Sequence, residues 1–139
     1  MNLSKFLKTN KKVKENTTYT LDFFEGEEKP VLIIRPLTTK ENNALIEACT
    51  YEKQVTGKPD QYTTKMNRMK YVAMMAAAAV VEPDLYDAEL QDSYGVSKPE
   101  DLIQEMFDDP GEWNKFIEFI NKFNGFDKSI NEDIEEAKN

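Results

Sequence analysis

Ten consecutive residues, Val72–Val81 (VAMMAAAAVV), carry no polar side chain. A helix that is apolar on every side is either a membrane span or the buried centre of a folded unit. A span needs about 20 such residues. Here Arg68 and Lys70 stand just before the run, and Glu82, Pro83 and Asp84 follow it. No membrane association is therefore expected. The spacing predicts a central helix from about Thr63 to Val81, with Met66, Met69, Ala73, Ala76, Ala77 and Val80 at helical intervals. Pro83 should close it, and the alanines should let neighbouring helices come close.

The chain on either side reads as what packs around that helix. Residues 1–17 form a basic, partly flexible N-terminal arm with Leu3, Phe6 and Leu7 at helical spacing. Two β-rich runs, Thr18–Phe24 and Val31–Leu37, flank the polar, glycine-containing EGEEKP and predict a hairpin over 18–37. Thr38 with Glu41 is a capping-box pattern opening a helix from about 39 to 53, with Ala44, Leu45, Ala48 and Cys49 on one face. VTGKPDQY reads as a loop. After Pro83 come short capped helices. Asp87–Tyr94 is stopped by Gly95, and a second runs from the Ser97–Glu100 capping box to about Phe107. A third opens at Asp109 with Pro110 in its first position and carries the stripe Trp113, Phe116, Ile117, Ile120 and Phe123. Gly125 ends it, with Phe126 set for the hydrophobic contact of a Schellman turn. Ser129–Glu132 opens a last acidic helix. The expected fold is mainly α with a small N-terminal β-hairpin, one domain over 1–139, its helical body spanning 38–139.

Charge is unevenly spread. Residues 1–14 carry five lysines and no acid, whereas residues 82–139 carry five lysines and 17 acids. The net charge of −8 argues against a duplex-DNA binder, which needs basic residues to displace phosphate counterions. An acidic surface attracts basic protein partners and keeps a small protein in solution.

Reactive chemistry is sparse. The chain has no histidine, which removes the commonest general base and metal ligand and every Ser-His or Cys-His site. Its one cysteine, Cys49, forbids an internal disulfide, fits the cytosol, and reads as a small buried hydrophobe. No CxxC, phosphate loop or calcium loop is present. MNLSKFLKTNKK has no apolar signal core. The carboxylates near Asp84–Asp92, at Asp108–Asp109 and at Glu132–Glu136 read as caps and solvated faces. No enzyme activity, cofactor or metal is expected. A carboxylate enzyme using a divalent metal is the distant competitor.

Beyond these patterns, DAELQDSYGV (Asp87–Val96), PGEW (Pro110–Trp113), NGFD (Asn124–Asp127) and EEAKN (Glu135–Asn139) resemble the XkdN-like phage tail assembly chaperones, as do LSKFL and IIRPLTTKENNAL near the start. The resemblance implies a non-enzymatic chaperone. Its partner would be the tape measure protein, and the tail tube protein a second one. Self-association is compatible with this reading. The setting would be the bacterial host cytoplasm, with the chaperone absent from the mature particle. A structural tail subunit retained in the virion is the alternative. Glu89, Leu90, Gln91, Asp92, Tyr94 and Phe126 are the expected partner-binding residues, with Gly95 and Gly125 as turn formers. The resemblance further implies a longer product by −1 frameshifting at the codons of Ala137–Asn139, which admit a slippery A AAA AAY heptamer.

Overall fold

The computed structural model describes residues 2–126; the expected last helix after Ser129 and the Ala137–Asn139 segment lie outside them. Two short 3-10 turns, Leu3–Phe6 and Lys8–Asn10, precede strand β1 (Thr17–Thr20). β2 (Val31–Ile34) pairs antiparallel with it, Thr20 opposite Val31 and Thr17 opposite Ile34. The expected N-terminal hairpin is therefore present, with shorter strands. Its connection bends at Gly26 (φ +105°), a left-handed conformation that glycine adopts without a Cβ penalty. The β-branched Ile34 and its neighbour Leu32 point into the core and are fully buried. Pro36, without an N–H, follows the strand's end.

Three expectations are overturned, and with them the mainly-α assignment. The fold is α+β with strands reaching to residue 82, not confined to an N-terminal hairpin. First, helix α1 (Thr39–Ala48) stops about five residues short of the expected end. Thr50 Oγ donates to the Ile46 carbonyl at 2.6 Å, and Thr50 and Tyr51 turn into strand β3 (Thr50–Val55), a conformation β-branched and aromatic residues favour. Second, the expected loop VTGKPDQY is the turn and return strand of a second hairpin. β4 (Lys58–Met66) pairs with β3 around Gly57 (φ +78°). Third, the central helix α2 spans Arg68–Ala79, not 63–81. Asn67 Oδ1 caps it by accepting the Lys70 N–H at 3.1 Å. Its last residues, Val80–Glu82, leave the helix as strand β5 and pair with β2. Met66 is thus a strand residue, and Met69 is 84% exposed.

The central role of α2 stands. Ala73, Met75, Ala76 and Ala79 are buried, and the helix packs against α1, α4 (Pro99–Met106) and α5 (Pro110–Asn124). The core joins Leu21, Leu32 and Ile34 of the sheet region to these alanines. Leu102, Ile103, Met106 and Phe107 enter it from the α4 segment, and Phe116 and Ile120 from α5. Phe107 and Phe116 stack at 4.3 Å between centroids, and Tyr19 of β1 lies 5.1 Å from Phe116. α5 is also fastened to the β2–α1 connection. Asn124 Oδ1 accepts the Leu37 N–H at 2.8 Å from a residue 87 positions away.

The caps follow the sequence closely. Thr38 and Glu41 form the reciprocal capping box of α1. Asp109 caps α5, accepting the Glu112 N–H at 3.0 Å with Pro110 first in the helix. The exception is α4, whose N-cap is Lys98, not Ser97. Pro99 takes the first helical position, where its missing N–H costs nothing, and proline forces the residue before it into an extended conformation. α3 (Ala88–Tyr94) ends at Gly95 and α5 at Gly125, with φ of +67° and +75°. In both, the next residue completes a Schellman turn: Val96 N–H donates to Gln91 O and Phe126 N–H to Asn121 O.

Candidate partner-binding groove

A helix apolar on all sides needs cover on all sides. The sheet, α4 and α5 cover one flank of α2, and α1 leans on another through Leu45 and through the Tyr71 hydroxyl, which donates to Asn42 Oδ1. Between α1 and the start of α4 a slot stays open. It holds about 410 Å³ and is floored by Met74, Ala77, Ala78 and Val81. Met74, Ala77 and Ala78 share one face of α2, i, i+3 and i+4, and Val81 continues the floor from strand β5. Leu85, Tyr86 and Pro99 form its far wall. Tyr86 is 76% and Val81 43% exposed. The charged side chains at the rim, Asp84 and Glu100, are both acidic. The slot can accept apolar side chains from a helix and favours flanking lysine or arginine.

The residues expected to bind a partner are split by the structure. Glu89 and Asp92 are exposed on α3. Gln91 is half-buried, and its Nε2 donates to the Leu85 carbonyl at 2.8 Å, holding the loop that forms the slot's far wall. Leu90 and Tyr94 pack on the core, as does Phe126 at the close of α5. Burial raises the Tyr94 hydroxyl above its ordinary pKa, with the nearby Asp108 charge adding to the effect. The structure therefore does not gather the six into one surface. The floor of the slot comes from the apolar run that the sequence reads as core. The signal available was the run's excess: ten apolar residues in a row give more apolar flank than a chain of this size readily covers.

Cys49 is buried at the end of α1, its Sγ 3.6 Å from Met74 Sδ. Among the described residues no group of three or more Cys, Asp or Glu is placed to hold a metal ion. No helix among them is long and apolar enough to cross a membrane. The most perturbed carboxyl is Glu41, pulled down to about 2 by its hydrogen bonds from the Arg35 guanidinium and from Thr38. Its partners are those of a helix cap, not of a reacting site.

The fold class so defined, helices on a three-stranded antiparallel sheet with a separate two-stranded ribbon, is shared with the crystal structure of the protein YqbN. The TM-score is 0.71 at 18% identity, covering 91% of this chain and 98% of that one. The profile of the Phage XkdN-like tail assembly chaperone protein family matches residues 3–138. The chain belongs to that family. Among its relatives, the phage-like element PBSX protein XkdN of Bacillus subtilis (strain 168) is 24% identical over 107 residues, 77% of this chain and 71% of that protein. YqbN of the same bacterium is 27% identical over 113 residues, 81% of this chain and 73% of its own length.

Proposed function

We propose that this tail assembly chaperone binds an amphipathic helical segment of the tape measure protein in the α2 slot. It keeps that segment soluble in the host cytoplasm while the tail tube protein assembles, and it leaves before the particle is finished. The observation that carries this reading is the partly exposed apolar floor of Met74, Ala77, Ala78 and Val81 with acids alone at its rim. In helix-in-groove recognition an amphipathic helix lays its apolar face into a groove of this kind. A tape measure protein must expose apolar seams until the tube surrounds it, so a small soluble cover needs a groove and no reacting group.

The test is co-expression with the tape measure protein encoded nearby, followed by affinity capture. Wild type is expected to keep that protein soluble and to co-purify with it. Ala78→Glu, which buries a charge in the slot, should reduce capture at least tenfold while helix content by circular dichroism stays unchanged. Capture indifferent to Ala78→Glu would remove the slot from the interface. Alanine at Glu89, Gln91 and Asp92 asks the same of α3: unchanged capture and stability remove those residues. Mass spectrometry of purified particles separates the alternative, since a structural subunit is present there and a released chaperone is absent. The reading extends to the longer frameshift product, which a gene sequence of GCC AAG AAC at Ala137–Asn139 would end.

A further inference from the structure

The β3–β4 ribbon takes no part in the slot, and almost all of it is exposed. Every residue from Thr50 to Met66 except Val55 is exposed, Met66 at 40%. Neither strand pairs with the main sheet, so both outer edges are free. An isolated two-stranded hairpin is marginal in water, and free strand edges invite a partner. The pairing register sorts its side chains. Tyr51 lies opposite Lys65 and Lys53 opposite Thr63 on one face, while Glu52, Gln54, Tyr62, Thr64 and Met66 share the other. Up to the register shift at Gln54/Val55, the first face carries two ammonium groups, no carboxylate, and an aromatic ring that is 51% exposed. Among the described residues, no ion pair engages Lys53 or Lys65.

The complementary surface lies on the same chain. A shallow groove bounded by Gly95, Val96, Ser97, Asp101, Gln104 and Glu105 runs along the outer side of α4. Asp101 and Glu105 are exposed, and neither is in an ion pair with a described residue. No ribbon side chain hydrogen-bonds to α3 or α4 of its own chain among the described residues. We propose that the Tyr51–Lys53–Lys65 face of the ribbon docks on the Asp101–Glu105 surface of a second copy of this chain. Opposite charge on the two surfaces selects a neighbouring copy, and the salt-free ribbon supplies reach: six strand residues extend about 20 Å. Because donor and acceptor surfaces differ, each copy offers one of each.

Sedimentation velocity of the full chain over a concentration series tests this. The weight-average mass should rise above 16.1 kDa with concentration and fall back in high salt. The variant K53E/K65E should weaken association roughly tenfold or more, and so should D101K/E105K. An equimolar mixture of the two should restore it, because each supplies the charge the other needs. If D101K/E105K melts early, D101N/E105Q replaces it and should still weaken association. A monomer at every concentration overturns the proposal. So does association unmoved by either variant, or a mixture of folded variants that fails to recover it. Loss of single-stranded oligonucleotide binding in K53E/K65E at unchanged mass would assign the face to nucleic acid and overturn it equally. None of these readouts involves the tape measure protein, so failure here is distinct from failure of the slot.

Discussion

Glu41→Gln should destabilise the protein by about 1–1.5 kcal/mol at neutral pH, and the loss should vanish in acid. In the native state Glu41 does two things. Its Oε1 accepts the Thr38 N–H at the start of α1, and both its oxygens take Arg35, at 2.9 and 2.5 Å. Glutamine retains the capping-box acceptor and deletes the charge, so the substitution isolates the ion pair. A fall in pKa from 4.5 to about 2 would correspond to about 3 kcal/mol for a group shielded from water. The Glu41 side chain is 37% exposed, however, and exposed pairs give about 0–1 kcal/mol. The bidentate geometry puts this one near or slightly above the top of that range. The sign follows from the direction of the shift. Because the folded pKa is lowered, the stabilisation is present above pH 4.5 and lost as pH falls through about 2. Urea titrations of wild type and variant at pH 7, 4 and 2.5 should show midpoints that converge in acid. A gap that stays constant across that range would refute the reasoning, because it would mean that the variant lost packing, not charge.

Three further outcomes are expected. Gly125→Ala should lower stability by about 1–2 kcal/mol, the cost of a left-handed residue with a Cβ, and Gly125→Asn by less, both read from thermal melts. No atom crowds that position, so the loss is conformational, not steric. Phe116→Ala should cost about 3–5 kcal/mol, since it empties a fully buried site stacked on Phe107. A double-mutant cycle with Tyr19→Leu should give a coupling of about 0.5–1.5 kcal/mol. Asn124→Ala should cost about 1–3 kcal/mol by orphaning the Leu37 N–H, with faster hydrogen exchange at Leu37 as its local signature.

Elements with one buried face were legible in the sequence. β2, α4 and α5 each announce an inner side through their apolar residues, and the stops of β2, α3 and α5 are written in Pro36, Gly95 and Gly125. The β3–β4 ribbon was not, because alternation marks a strand only where one face is buried. Both faces of TYEKQV and KPDQYTTKM meet water. Met66 and Met69 then fell by coincidence on the helical spacing of α2 and drew the helix too far back. At its other end the apolar run crosses from helix to strand without a break. Hydropathy cannot mark that boundary, since Val80 is as apolar in β5 as Ala79 is in α2. The slot was hidden for a related reason. A surface apolar residue and a core one are the same letter, and only the count of neighbours distinguishes them. In α3, Leu90 and Tyr94 pack on the core and Gln91 hydrogen-bonds to Leu85, tasks that the letters of a motif do not display.

The fastening of α5 to the front of the chain has a consequence for how the molecule is made. The sheet begins to be synthesised early, yet the core that holds Leu32 and Ile34 is complete only when Phe116 and Ile120 arrive, and Leu37 finds its acceptor only at Asn124. Such distant pairings are slow because the intervening loop must close before any contact rewards it. On the ribosome, the first half of this chain must therefore wait with its core incomplete until α5 has emerged. A nascent chain cut anywhere before Phe116 would lack the side chains that close this core.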